Sequence, residues 1–249
     1  MAGHSKWANI KHRKAAQDKK RGKAFSQISR AIMAAVRSSG PNPADNITLR
    51  LQLDKARAAN MPRDTIDRAI KRASGEGAAE EIHEVTYEGY GPGGVGIVIS
   101  ALTDHLNRTG PDVRSALEKR GGTMGKQGSV SWNFEQKAVY TVKGEGVDED
   151  SLMEVALDAG ADDLENEDGV FTIIGPPSAF ASIGEALTGA DYSVDNAEVT
   201  YIPNTRTMLS PDDARKLIAI IDALEDLDDV QSAITNGDIP DEVIAEMGA

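Results

Sequence analysis

The chain has 249 residues, of which 40% are hydrophobic and only 4% aromatic, so it can build two or three ordinary cores, mainly from Ala, Val, Ile and Leu. It contains no cysteine, which excludes thiolate nucleophiles, disulfides and cysteine-bound zinc. The formal net charge of −13 conceals a division, because residues 1–80 carry 17 Lys and Arg against 7 Asp and Glu, whereas residues 81–249 carry 10 against 33. This asymmetry is typical of a nucleic-acid-contacting segment attached to an acidic body.

The first residues lack the apolar run of a secretory signal, and Gly3 lies one position too late for myristoylation. No stretch approaches the length of a membrane span. The sequence therefore predicts a cytoplasmic protein that makes no membrane contact.

Residues 1–23 have the composition of a nucleic-acid-binding arm. Asp18 is their one acid, and their apolar residues are too few to bury a face. Cations neutralise phosphates while an indole stacks on an exposed base; the alternative is a solvated tail. We predict that the following arm residues contact nucleic acid: Lys6, Trp7, Lys11, Arg13, Lys14, Lys19, Lys20, Arg21 and Lys23.

Three helices are predicted next, over about 24–39, 44–59 and 63–73, each with apolar residues at helical spacing. Together they would form a small bundle. Lys23, Arg30 and Arg37 are seven residues apart, so on the first helix they form one stripe. This stripe would extend the phosphate-binding track of the arm, unless it is an ordinary solvated face.

After Gly75, the periodicity changes to that of strands, at 85–88 and 95–102, joined by a tight turn over 91–94. The glycines of this turn match a dinucleotide-binding pattern, but such a site needs a helix after the loop, and here strand follows strand. We predict instead that the turn lets its backbone approach a partner closely. The residues of this predicted loop are Gly91, Pro92, Gly93 and Gly94.

A helix is predicted to begin near Pro111, and a strand over 129–134 follows it. Asn107, Arg108 and Thr109 precede that helix. Arg108 and the free N–H groups of a helix start would suit a phosphate. An ordinary cap at Thr109 explains the same residues, and the sequence leaves both readings open.

Residues 138–202 have the predicted order strand, helix, strand, strand, helix, strand, which is that of a ferredoxin-like unit. After it, an extended segment at 205–209, a helix at 211–226 and a strand at 230–235 could complete the sheet begun at Val85. The acidic block would then be an insertion into a discontinuous α/β domain, although two consecutive domains fit the sequence almost as well.

Four carboxylates, those of Asp222, Glu225, Asp226 and Asp229, are spaced to share one helical face. They are the one arrangement that could hold Mg²⁺, so a metal-dependent nuclease is a remote alternative. An acidic solvated face is the default reading, because no second cluster completes a metal shell. We therefore predict neither a metal nor a catalytic residue, and a purely protein-binding scaffold is a further alternative.

Five stretches are distinctive: AGHSKWANIKHRKAAQDKKRGKAFSQISRAI from Ala2, NMPRDTIDRAIKRASG from Asn60, YEGYGPGGVGIVISALTDHLNRT from Tyr87, GSVSWNF from Gly128 and LIDALEDLDDVQ from Leu217. They resemble the YebC family, which includes the mitochondrial translational activators of cytochrome oxidase. One departure is His105-Leu106, where relatives carry Asn-Arg.

The resemblance implies an α+β protein with an N-terminal three-helix domain, a discontinuous α/β domain and an inserted ferredoxin-like domain. We place the arm and helical domain at 1–78, the α/β domain at 79–136 plus 203–249, and the insert at 137–202. The resemblance also implies a regulator of gene expression without enzymatic activity, cofactor or small-molecule substrate. Its partner would be rRNA or tRNA on the ribosome, where it relieves stalling, or promoter DNA. The absence of a recognisable helix-turn-helix pair favours RNA.

Overall fold

The computed structural model describes residues 21–75, 82–144, 146–167 and 169–248. The described residues form two units. One comprises residues 134–204, and the other comprises the described residues before 134 and after 204. The predicted arm residues up to Lys20 lie outside the described part.

Three helices, α1 (Arg21–Ser39), α2 (Ile47–Ala58) and α3 (Arg63–Ala73), open the described chain. Their shared core contains Ile32, Val36, Leu49 and Leu53. Ile66 and Ile70 of α3 are only partly buried against this core, and Ala69 is the buried residue of that helix. The three-helix prediction is confirmed.

A four-residue turn, 59–62, joins α2 to α3. Asn60 adopts a left-handed conformation in it (φ 54°), and Met61 is buried. Asparagine tolerates this conformation better than most residues. A connection of this length is the one that helix-turn-helix pairs use. The sequence analysis missed it because no glycine marks the turn.

The chain continues with β1 (His83–Tyr90), a one-turn 3₁₀ helix (Pro92–Gly94), β2 (Gly96–Thr103), α4 (Leu106–Glu118) and β3 (Thr123–Met124). Helix α4 begins five residues before the predicted start at Pro111, which lies inside it. Asn107, Arg108 and Thr109 are therefore helical and do not form a loop before the helix. The helix N-cap is His105, not Thr109.

A short 3₁₀ helix (Ser131–Asn133) replaces the strand predicted over 129–134. The backbone N–H groups of Val130 and Ser131 donate to the carboxylate of Glu88 instead of to a neighbouring strand. A side-chain acceptor that takes these donors removes them from any sheet ladder, so the prediction of a strand here was wrong.

The unit at 134–204 contains β4 (Phe134–Lys143), α5 (Glu149–Asp158), β5 (Asp163–Glu167), β6 (Val170–Gly175), α6 (Phe180–Gly189) and β7 (Val194–Pro203). Its four strands pair antiparallel in the order β5-β6-β4-β7. This is the predicted ferredoxin-like βαββαβ arrangement. Tyr140, Ile173, Ile183 and Leu187 are fully buried in this unit.

The other unit resumes with β8 (Thr207–Met208), α7 (Pro211–Glu225), β9 (Val230–Thr235), β10 (Gly237–Asp238) and α8 (Asp241–Gly248). Strand β9 pairs with β2, which gives a sheet of order β3-β1-β2-β9. The unit is thus discontinuous in sequence, and the α+β fold class is confirmed. The segment at 205–209 does not complete this sheet, because β8 pairs with β10 in a parallel ribbon of its own. The domain limits given above stay a prediction.

Asn46 joins α1 to α2, and its removal tests the helical core. Its side-chain oxygen accepts from the N–H of Leu49 at 2.9 Å, and its amide donates to the carbonyls of Ala35 and Gly40, each at 2.8 Å. Asn46→Ala removes a cap and leaves buried carbonyls unpaired, so we expect a loss of about 2–3 kcal/mol of stability. Urea unfolding followed by circular dichroism measures it. Asn42→Ala, on the exposed loop before α2, is the control and should cost well under about 1 kcal/mol.

Candidate nucleic-acid interface

Two cations of the predicted phosphate-binding stripe on α1 form ion pairs within the protein. Lys23 Nζ lies 2.7 Å from Asp226 Oδ1, and Arg30 Nη2 lies 2.9 Å from Asp229 Oδ1. The two cationic side chains are only 13% and 17% exposed. Between them, Gln27 Nε2 donates to the Val230 carbonyl at 2.7 Å.

This face of α1 therefore packs on the segment between α7 and β9. Lys23 and Arg30 are thus paired with distant carboxylates that a sequence pattern does not reveal, and their contact with nucleic acid stays a prediction. Arg37 is exposed in the last turn of α1, where a cation is favourable to the helix dipole.

Asp229 receives donors from several elements. Arg108 Nη2 lies 2.9 Å from each of its carboxylate oxygens, and Thr109 Oγ1 donates to Oδ2 at 2.7 Å. Thr103 Oγ1, at the end of β2, lies 3.3 Å from Oδ2. With Arg30, these groups join α1, α4 and β2 to one side chain that is 6% exposed.

Burial by itself raises the pKa of the Asp229 carboxyl, but the hydrogen bonds from Thr109 and Arg108 and the charges of Arg30 and Arg108 more than offset burial. The net effect lowers the pKa of Asp229. Arg108 and Thr109 are thus committed to an internal carboxylate, and their predicted role in gripping a phosphate gains no support from this geometry.

Glu88 is a second buried carboxylate, 5% exposed, on β1. It accepts backbone N–H groups from Gly128 at 2.6 Å, Val130 at 2.6 Å and Ser131 at 3.0 Å. Burial raises the pKa of Glu88, and the three N–H donors lower it by more, so the pKa is lowered overall. This carboxylate fixes the segment 128–131, a role that the sequence does not predict because a single glutamate on a strand carries no signal.

The glycine turn at 91–94 joins strand to strand, as predicted. Gly93 and Gly94 have φ of 71° and 76°, which L side chains rarely adopt. A Cβ on Gly93 would lie 2.5 Å from Leu209 Cδ2, so close packing also requires glycine here. Gly93 and Gly94 are exposed, and contact with a partner stays a prediction.

The predicted acidic face does not exist in the form expected. Helix α7 ends at Glu225, so Asp229 lies beyond it. Asp226 and Asp229 are paired with cations. Within the described ranges, no group of three or more His, Cys, Asp or Glu residues is placed to hold a metal ion. Nor does any helix of these ranges have the length and apolarity to cross a membrane.

Fold and charge together define an α+β protein whose cationic helix α1 is held by acidic groups of a discontinuous sheet domain. The comparisons with known proteins identify its family. The description "TACO1/YebC protein N-terminal domain" matches residues 5–76, and "TACO1/YebC second and third domain" matches residues 82–237. The chain therefore belongs to the TACO1/YebC family.

Relatives match along their whole length. The transcriptional regulatory protein PmpR of Pseudomonas aeruginosa is 51% identical over 249 residues, covering 100% of both chains. A probable transcriptional regulatory protein of Proteus mirabilis is 49% identical over 248 residues, covering 99% of this chain and 98% of the relative. A crystal structure of a conserved hypothetical protein from Aquifex aeolicus has 40% identity and a TM-score of 0.81, covering 90% of this chain and 92% of that one.

Asp229→Asn should destabilise the unit strongly, because it leaves Arg30 and Arg108 facing a neutral group. Breaking a buried pair costs about 3–5 kcal/mol, and the exposure of Arg108 reduces this to roughly 2–4 kcal/mol. Calorimetric unfolding measures the loss. Asp226→Asn is the matched control, since that carboxylate is 83% exposed and its pair with Lys23 should contribute under about 1 kcal/mol. Equal effects of the two changes would contradict the central role of Asp229.

Acid should weaken the same unit through Glu88 and Asp229. A carboxyl whose pKa is lowered by folding stabilises above its unfolded pKa, near 4 for these residues, and loses that contribution as pH falls through the lower folded value. We expect the free energy of unfolding to drop steeply below about pH 4. The Glu88→Gln variant should be less stable than the unmodified protein at neutral pH. Its free energy of unfolding should also fall less steeply below about pH 4. Parallel curves for the two proteins, measured by urea unfolding at each pH, would refute this assignment.

Proposed function

We propose that this protein is a non-enzymatic, nucleic-acid-binding regulator of gene expression that acts in the cytoplasm on rRNA or tRNA at the ribosome, relieving stalled translation. The distribution of charge carries the proposal. Residues 1–23 hold eight Lys and Arg against one acid, whereas residues 134–204 hold 2 Lys and Arg against 16 Asp and Glu. A polyanion is attracted by the first segment and repelled by the second.

The contacts of α1, which follows the arm in the chain, support the assignment of the phosphate contacts to the arm. The arm continues into α1, and α1 is fixed through Lys23, Gln27 and Arg30 to the segment before β9. Lys23 and Arg30 already pair with the carboxylates of Asp226 and Asp229, so we assign the phosphate-neutralising charge to the residues before Lys23. The phosphate contacts would then be those of the arm alone.

We propose that the protein is not an enzyme because the carboxylates that could have bound a catalytic metal are paired with cations. Asp226 and Asp229, which a nuclease reading would need as metal ligands, are paired with Lys23, Arg30 and Arg108. A carboxylate that is already paired with cations, as Asp229 is with Arg30 and Arg108, is not available to a hard cation without breaking those pairs.

Transcriptional control at DNA is the second candidate, and two observations favour it. Relatives carry the name transcriptional regulatory protein. The four-residue turn between α2 and α3 also puts Arg63, Arg68 and Lys71 on an exposed helix that follows another helix, as a recognition helix does. RNA is preferred because the largest excess of cations lies in the arm and not on α3.

The arm is tested by replacing Lys11, Arg13, Lys14, Lys19, Lys20 and Arg21 with Ala. Each phosphate contact contributes to the salt slope of binding, so removal of six cations should abolish binding at physiological salt and flatten the slope. Titration of a single-stranded RNA and of a duplex DNA at several salt concentrations measures both. Tighter RNA binding and co-sedimentation with ribosomes support the first candidate, whereas preference for the duplex and crosslinking to chromatin support the second.

A matched control removes the same amount of positive charge elsewhere. It should retain binding, because the proposal assigns the contact to the arm and not to net charge. Undiminished binding by the arm variant, or equal losses in both variants, would overturn the proposal. The control replaces these exposed cations with Ala: Arg57, Arg114, Lys119, Arg120, Lys143 and Lys216.

A further inference from the structure

Three large apolar side chains are exposed on the discontinuous unit around the glycine turn. Trp132 is 74% exposed, Met208 is 85% exposed and Tyr90 is 37% exposed. Single exposed apolar residues are ordinary on a protein surface. These three differ because the structure links them to one another, and we call them the platform (Tyr90, Trp132 and Met208).

A continuous set of contacts connects the platform residues. Tyr90 Oη and Trp132 Nε1 both donate to the carbonyl of Ser129, at 3.0 and 3.1 Å. Asn133, next to Trp132, donates to the Thr205 carbonyl at 2.8 Å and accepts from the Thr205 N–H at 2.9 Å. Thr205 leads directly into β8 and Met208.

The glycine turn also connects Tyr90 with the segment that carries Met208. It follows Tyr90 directly, and Gly93 packs against Leu209, the residue after Met208. The platform residues and the turn are therefore connected through contacts of neighbouring segments, and Tyr90 and Trp132 share the Ser129 carbonyl.

The indole is held in place without being buried. Its backbone neighbours are fixed on both sides, because Ser131 N–H donates to the carboxylate of Glu88 and Asn133 is bonded to Thr205. A side chain that is 74% exposed adds little apolar burial to the fold. Fixing a ring that contributes so little to stability reduces the entropy that a ligand would otherwise have to remove on binding.

We propose that the platform stacks unpaired bases of single-stranded RNA, an inference that rests on the proposed function. The polar atoms of both rings already bond to Ser129, so the surface they offer is the apolar ring face on which bases of any identity stack. The turn, exposed at Gly93 and Gly94, lets a backbone come close.

A peptide is the less favoured occupant. Peptide recognition uses pockets or grooves for anchor side chains. One cavity of about 380 Å³ runs along β1 and β3, and neither Trp132 nor Met208 lines it.

The platform should add affinity that salt does not weaken. Base stacking releases no counterions, in contrast to the phosphate contacts of the arm. The two sites are therefore separable by their salt dependence.

The experiment uses the full chain with Trp7→Phe, which leaves Trp132 as its one indole. Titration with single-stranded oligouridylate should quench the Trp132 fluorescence. In this background, Trp132→Ala should weaken binding about tenfold at low and high salt alike, without changing the salt slope. Trp132→Phe should restore most of the affinity. Leu157→Ala, which removes a 47% exposed apolar side chain from the other unit, should have no effect.

An abasic oligomer of the same length separates bases from phosphates, and it should bind through the arm without quenching. RNA binding with no quenching and no effect of Trp132→Ala overturns the platform while the proposed function stands. Loss of all nucleic-acid binding by the unmodified chain overturns both. Quenching by a proline-rich peptide but not by RNA overturns the platform in favour of a peptide ligand.

Discussion

The buried carboxylate of Asp229 is the contact on which the arrangement of the larger unit depends. It lies in the short segment between α7 and β9, and it binds Arg30 of α1, Arg108 and Thr109 of α4, and Thr103 at the end of β2. A charge buried to this degree is stable only when cations and hydroxyls compensate it. Helix α1, to which the basic arm is attached, is therefore oriented by electrostatics as well as by the apolar core that it shares with α2 and α3.

Glu88 is also a buried carboxylate compensated by hydrogen bonds, but its partners lie in an irregular segment and not in helices and a strand. Where Asp229 brings helices and a strand together, Glu88 binds backbone N–H groups of Gly128, Val130 and Ser131 and so fixes an irregular segment. Both carboxylates are ionised because hydrogen bonds outweigh the cost of burial. Trp132 directly follows Ser131, the last residue that Glu88 binds, so a buried charge helps to position an exposed ring.

Acidic residues and internal ion pairs limit where a polyanion can bind this protein. Residues 134–204 repel it with 16 acids, and the cations at Lys23 and Arg30 are already neutralised by partners in the fold. Under our proposals, phosphates contact the arm and unpaired bases stack on the platform, which gives one salt-dependent and one salt-independent contribution. Such a division favours single-stranded or looped RNA over duplex DNA, whose bases are stacked on one another.

The sequence by itself determined the three helices, the ferredoxin-like order of 138–202 and the concentration of cations in residues 1–23, because periodicity and composition are local properties. The α+β class with its inserted domain was implied by the family resemblance. It could not determine which charges are free. Lys23, Arg30 and Arg108 read as phosphate ligands until the fold placed Asp226 and Asp229 beside them, about 200 residues away along the chain for the first two. The strand predicted at 129–134 failed for the same reason, since Glu88 binds N–H groups that the local pattern assigns to a sheet. Only the tertiary structure brings such partners together, because a buried charge selects its neighbours by distance in space and not by spacing in sequence.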